Sequence, residues 1–214
     1  MTLSLTPDEL LTTTRAVRKR LDFDREVSRS LIEECLDVGL QAPNGSNMQL
    51  WQWVVVDDRG TIERLAAVYN AALAAYSEVY ESQGLSERAQ QDPGFGRMTE
   101  SVMHLAENLH RSPAILIPCI AGRMDSLDIF SQASLWGSVI PAIWNFMLAL
   151  RARGLGSAWT TVHLHREAEA AELLGIPYAE YTQAGLFPVA YTVGTEFKRA
   201  PRRPAAEVTH WNRW

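Results

Sequence analysis

Residues 133–153 constrain the fold of this chain more than any other stretch. They carry Leu135, Trp136, Val139, Ile140, Ile143, Phe146, Met147 and Leu150 at helical spacing, apolar on more than one side. A helix of that kind must be central or lie at a subunit contact. Ser134, Gly137, Ser138 and Asn145 interrupt it, so no apolar run reaches the ~20 residues of a membrane-spanning helix. Pro141 lies inside it and predicts a kink or a local break. A chain of 214 residues with 47% hydrophobic and 21% charged content can close a good-sized core around such a helix as one domain, 1–214.

The flanking elements follow from local signals. Thr6-Pro7-Asp8-Glu9 is a helix start, with Thr6 as cap, Pro7 at the first helical position and Glu9 closing a capping box. Ser28 begins a second helix, which Pro43 must end. Residues 53–57 and 114–120 read as strands, and Pro118 points to an edge or a bulge. Residues 62–80 repeat apolar side chains at helical spacing, and Met98, Val102, Leu105 and Leu109 resume it. Between them the pattern fails over 81–96, where Gly84, Pro93, Gly94 and Gly96 predict a loop, read here as a mobile cover. After Gly154-Leu155-Gly156 a strand is expected over 157–164. A short helix, 166–174, should stop at Gly175, with a strand over 187–195 after it. The alternation predicts an α+β fold with helices covering a central sheet.

The net charge of −5 argues against broad attraction to nucleic acid or an anionic membrane. The first twenty residues lack the apolar centre of a signal peptide. Cys35 and Cys119 sit in apolar elements, which suits buried free thiols and the cytoplasm, though a single disulfide stays open. His163 and His165 would share one face of a strand, but no Cys, Asp or Glu stands at ligand spacing beside them, so no metal site is expected.

Two stretches carry chemistry. Residues 42–51, Ala-Pro-Asn-Gly-Ser-Asn-Met-Gln-Leu-Trp, set Ser46, Asn47 and Gln49 at the mouth of a strand after Pro43 and Gly45. Such a loop either simply connects helix to strand or offers a polar planar ligand several donors and acceptors. Arg15, Arg18, Lys19 and Arg20 form a basic cluster with three readings: a solvated face, a nucleic-acid contact, or a phosphate site, since guanidinium forks match phosphate oxygens.

Read together, Arg15-Ala16-Val17-Arg18, the 42–51 stretch, Gly154-Leu155-Gly156-Ser157-Ala158-Trp159 and Arg202-Arg203-Pro204-Ala205-Ala206-Glu207-Val208 resemble the nitroreductase family of flavin enzymes. Its R-S-V-R, A-P-S-x-x-N-x-Q-P-W, G-L-G-S and R-x-P-L-E-E-V patterns occur here in that order. The resemblance implies a four- or five-stranded, mostly antiparallel sheet and an intertwined homodimer with FMN at the interface. It also implies a ping-pong reaction in which NAD(P)H gives a hydride to flavin N5 and a nitroaromatic, quinone or similar small acceptor takes the electrons. By the same resemblance Arg15 would bind the phosphate. Arg18 would bind the ring or ribityl chain, and Ala16 would contribute only its backbone N–H. Pro43, Gly45, Ser46, Asn47 and Gln49 would wall the flavin, chiefly from the other subunit. Ala158, Thr160 and Thr161 would lie by the ring, and Arg202 and Arg203 would close on the phosphate. Thr160 and Thr161 stand where the best-known branch has Glu-Gly, and Leu50 where relatives have Pro. No acid or base is assigned, because the flavin is the reactive centre. The alternative is a flavin or deazaflavin carrier of the same fold without turnover.

Overall fold

The computed structural model describes residues 2–82, 87, 91 and 93–214. Its spine is β3 (Ala114–Ala121), buried along nearly its whole length. Alternate side chains of a strand face opposite ways, and here the two sets build two cores. Ile115, Ile117 and Cys119 enter one with Ile62, Leu65 and Tyr69 of α3 (Arg59–Ser82) and Leu105 of α4 (Pro93–Asn108). Ala114, Leu116 and Ile120 enter the other with Ile32 and Cys35 of α2 (Arg29–Gly39) and Val139, Ile143, Phe146 and Leu150 of α5 (Ile129–Ala152).

β3 pairs along its length with β2 (Trp51–Val56). On its other side it pairs with β6 (Phe187–Thr192) and then β5 (Tyr181–Gln183). β1 (Leu21–Asp22) and β4 (Leu155–Ser157) pair with β6. All these pairings are antiparallel, so the α+β expectation holds, but the described sheet has six strands instead of four or five. The two additional strands are too short to show a periodicity in sequence.

Pro118 is not at an edge. It sits in the central strand opposite Trp53, and its carbonyl receives the Ala184 N–H at 2.8 Å. Its missing donor falls where β3 changes partner from β6 to β5, so no regular ladder bond is lost.

Local signals hold at the helix ends. Thr6 and Glu9 form the capping box of α1 (Pro7–Thr13), and Ser28 caps α2. Gly175 ends α6 (Glu167–Leu174) at φ 67°, a left-handed stop that glycine adopts without strain. α5 begins four residues earlier than expected, capped by Asp128, and continues through Pro141 without a break. By length and composition it could cross a membrane. Its Ile143, Phe146 and Leu150 are instead fully buried against α2 and the sheet.

Two further expectations change. The strand over 157–164 stops at Ser157. Thr160 exchanges backbone hydrogen bonds with Leu186, and Val162–Arg166 then coils into a 3₁₀ turn against α3. The loop over 81–96 is helical at both ends: Glu81 and Ser82 finish α3, and Pro93, Gly94 and Gly96 open α4. Proline suits a helix start because first-turn N–H groups need no helical partner. Glu87 and Gln91 are helical too. Residues 83–86, 88–90 and 92, on which the reading as a cover mainly rests, lie outside the described residues.

Cys35 and Cys119 are free and buried on opposite faces of the sheet. Burial pushes their thiols up to about 11 and about 12.

Candidate cofactor site

The segment after α1 is fixed by Val17, which is buried and donates its N–H to the Ser157 carbonyl at 2.8 Å, with Ala16 bridged to Ser157. This anchors Arg15 and Arg18 on the rim of a cavity of about 430 Å³, also lined by Lys19, Arg20 and Lys198. Five cations and one anion, Glu196, thus line it, and of the cations Lys19 is already paired with Glu100. Arg15 donates to the Lys198 carbonyl at 2.9 Å. Arg20 donates to the Val193 and Glu196 carbonyls at 2.8 Å and lies over the Phe197 ring. Arg151 approaches the same ring at 4.9 Å.

Arg18 differs from its neighbours. Its Nε is buried and has no hydrogen-bond partner among the described residues, and Nη1 reaches only the Ser101 hydroxyl at 3.5 Å. Burial pushes its pKa below the ordinary value. A desolvated guanidinium with a donor to spare is stabilised by an anion. Of the three readings of the basic cluster, this arrangement suits an anion such as a phosphate.

Beside the Ala16–Val17 backbone lies the end of β4, and the chain runs on from it through Ala158 to Thr161. Ala158 is fully buried. Thr160 is buried, and its hydroxyl donates to the Leu186 carbonyl at 3.1 Å. Thr161 is exposed. Thr160 is thus committed to the fold, and of the two threonines Thr161 has the available hydroxyl.

The 43–49 loop lies elsewhere on the chain, over α5. Gly45–Asn47 form a tight turn closed by the Met48 N–H on the Gly45 carbonyl, with non-helical backbone at Ser46. Ser46, Asn47 and Gln49 adopt φ of 51°, 54° and 50°, a conformation that costs a non-glycine residue roughly 1–2 kcal/mol. Backbone strain of this kind collects at ligand sites. A Cβ on Gly45 would lie 2.9 Å from the Ser134 Oγ, so any larger residue there would have to turn that hydroxyl aside. None of the 43–49 residues lines the Arg15–Arg18 cavity. Arg202 and Arg203 do not line it either. They sit on a tail whose residues 201–214 are all exposed. Lys198 and Phe197 of the cavity carry no signal in the linear sequence, whereas Arg20 belongs to the basic cluster. Lys198 lies 183 positions from Arg15, and only the path of the chain after β6 brings them together.

His163 and His165 do not share a strand face. His165 stacks on Tyr76 at 5.6 Å, while His163 is fully buried with Nε2 at 3.1 Å from the Gln183 Oε1. Burial pushes His163 down to about 4. Between pH 6.5 and 4 the unfolded chain therefore takes up a proton that the folded chain refuses. This contribution to stability is complete above pH 6.5 and is lost as pH falls. Unfolding by urea at pH 7 and pH 5 should show a loss of roughly 2 kcal/mol from this group. In His163→Gln that part of the pH dependence should vanish, and an unchanged slope would contradict the assignment.

A sequence model described as the nitroreductase family matches residues 11–191. A protein of Archaeoglobus fulgidus described as an NADH dehydrogenase/NAD(P)H nitroreductase is 25% identical over 173 residues, covering 79% of this chain and 76% of that one. Among solved structures, a BluB-like flavoprotein from Clostridium difficile 630 has a TM-score of 0.73 at 17% identity, covering 98% of this chain and 100% of that one. Iodotyrosine deiodinase, solved with FMN and 3-iodo-L-tyrosine, also has a TM-score of 0.73, at 20% identity with 97% and 99% covered. An FMN- and NADPH-dependent nitroreductase from sphigopyxis sp. strain HMH follows with a TM-score of 0.70, 19% identity and 98% and 100% covered.

Proposed function

The chain belongs to the nitroreductase family, and we propose that it is an FMN-dependent oxidoreductase that moves electrons from NAD(P)H to a small acceptor such as a nitroaromatic or a quinone. The observation that carries this reading is the cation-lined cavity whose buried Arg18 Nε has no partner among the described residues. Bound FMN supplies the electron-transfer chemistry, and the chain's residues bind and orient it. Arg15, with Lys198 beside it, holds the phosphate. Arg18 faces the ring or ribityl chain, where its charge favours an electron-rich edge. Ala16 offers only backbone, and Ala158, Thr160 and Thr161 form the wall next to the ring. Pro43, Gly45, Ser46, Asn47 and Gln49 come from a second copy, and Arg202 and Arg203 close on the phosphate from the tail. The two free buried thiols suit a reducing compartment, the cytoplasm.

Homodimerisation is part of the proposal. Ile129 and Phe130 at the start of α5 are 86% and 82% exposed, and Trp211 and Trp214 of the tail are 83% and 99% exposed. Together with Ile140 and Trp144 on α5 they offer more apolar surface than a monomer commonly leaves in water. Light scattering after gel filtration should give a dimer with one FMN per chain. A monomer that retains stoichiometric FMN would refute the shared site.

The function is tested by the visible spectrum of the pure protein, mass analysis of the released cofactor, and anaerobic addition of NAD(P)H. Rapid bleaching, with re-oxidation by a quinone or nitroarene, is expected. A flavin that NAD(P)H does not bleach would leave a carrier instead of an enzyme, and an absent flavin would end the proposal.

A further inference from the structure

We propose that Ser138 of α5 is a positioning residue that holds the 43–49 loop in the shape in which Ser46, Asn47 and Gln49 meet the cofactor. The inference rests on the flavin reading above and deepens it.

The Ser138 side chain is buried, and both of its hydrogen-bonding roles are committed. Its Oγ accepts the Gly45 N–H at 2.9 Å and donates to the Ser134 carbonyl at 2.8 Å. The second bond fixes the direction in which the oxygen waits for the loop. Among the described residues, the Gly45–Ser138 bond is the one hydrogen bond that joins 43–49 to another element. The remainder are internal: the Asn44 Oδ1 accepts the Gln49 N–H at 2.9 Å, the Asn47 N–H reaches the Asn44 carbonyl at 3.2 Å, and the Met48 N–H reaches the Gly45 carbonyl at 3.0 Å.

The loop has little else to hold it. Ala42 and Trp51 are buried at its two ends, but every residue from 46 to 50 is exposed. Directly after the tethered N–H come the non-glycine residues at positive φ, Ser46, Asn47 and Gln49. A conformation that is unfavourable residue by residue persists only where its surroundings hold it. Here a small side chain on the helix and a glycine on the loop allow the close approach, and the Ser138 hydroxyl fastens it. Without that hydroxyl the Gly45 N–H lacks its partner, and the loop relaxes toward commoner backbone conformations. Polar groups that must meet a ligand in fixed directions then lose their preorganisation.

The test compares Ser138→Ala with Ser134→Ala, one helical turn earlier, where the Ser134 carbonyl is retained. Hydrogen exchange on the cofactor-free protein reads the tether, and titration with FMN reads its consequence. Ser138→Ala should exchange faster at Gly45 and bind FMN about ten-fold more weakly. The visible circular dichroism of its bound flavin should weaken, while the melting temperature of the cofactor-free protein stays close to that of the parent. Ser134→Ala should resemble the parent in all of these. Unchanged exchange at Gly45 would overturn the tether. Faster exchange with unchanged FMN affinity, or an equal loss in Ser134→Ala, would overturn the positioning role. A parent protein that takes up no FMN would sink the flavin reading and the positioning role with it, while the exchange data would still report the tether by itself.

Discussion

Replacing both Arg15 and Arg18 by alanine should lower FMN affinity at least about a hundred-fold without lowering the stability of the cofactor-free protein. A hydrogen bond to a charged group contributes roughly 1.5–3 kcal/mol, which is about ten- to a hundred-fold in affinity for each residue. Arg18 should account for the larger share. Arg15 is exposed and already spends a donor on the Lys198 carbonyl, whereas the Arg18 Nε is buried without a partner among the described residues. At a buried donor such as the Arg18 Nε the attraction between a guanidinium and an anion is stronger than at an exposed surface. The expectation for stability follows from the same geometry. An uncompensated, desolvated charge burdens the empty protein, so removing it should leave the melting temperature unchanged or higher. Fluorescence titration with FMN and thermal unfolding of the empty protein check both halves. An unaltered dissociation constant would show that the cavity is not the phosphate site. A large fall in melting temperature would show that the two arginines serve the fold instead.

The second large effect concerns stability. Arg123 meets Glu167 in a two-pronged ion pair, Nη1 to Oε1 at 3.0 Å and Nη2 to Oε2 at 2.8 Å. The side chains are only 17% and 11% exposed. Nη1 also donates to the Tyr181 carbonyl at 2.9 Å, and the guanidinium lies 4.1 Å from the centre of the Tyr178 ring. The carboxylate beside it holds the Arg123 pKa above its ordinary value. Glu167 Oε1 further accepts the Gln183 N–H at 2.8 Å, and the Gln183 side chain reaches the Glu167 carbonyl and His163. The pair therefore joins the end of β3, the strand β5 and the start of α6. In Arg123→Ala the Glu167 carboxylate is left largely buried with one peptide donor, and a loss of about 3–5 kcal/mol is expected from urea unfolding. The double variant Arg123→Ala/Glu167→Gln should lose less than the sum of the two single changes, because it leaves no unpaired charge. A loss below about 1 kcal/mol in Arg123→Ala would place this pair with ordinary surface ion pairs.

Short-range chemistry was legible in the sequence. The Thr6–Glu9 capping box, the Ser28 cap and the glycine stop at Gly175 depend on residues at most four positions apart, and each appears as expected. The central place of α5 was legible because a helix apolar on several sides has no stable position at a wet surface. β3 was legible because a strand buried on both faces reads as a continuous apolar run. The four stretches that resemble the nitroreductase family were likewise visible in the linear chain.

Other features depend on what lies opposite in space, and the sequence does not state that. β1 and β5 contain two and three residues, too few to show alternation, and they exist because β6 and β3 offer them a ladder. Pro118 was read as an edge signal, but the change of partner from β6 to β5 lets a central strand tolerate it. The strand after Gly156 stops at Ser157 because the chain meets β6's line again only at the Thr160–Leu186 bridge, and it then coils into a 3₁₀ turn packed against α3. That turn buries His163, which the spacing of two histidines could not reveal. At the cavity, the sequence determined which residues are charged. Tertiary structure decided which of those charges would be satisfied: Arg15, Arg18 and Arg20 look alike in a linear chain, yet Arg15 and Arg20 find backbone carbonyls late in the chain while the Arg18 Nε finds no partner among the described residues. Charge is a property of the side chain, but desolvation and pairing depend on distances that exist only once the chain has folded.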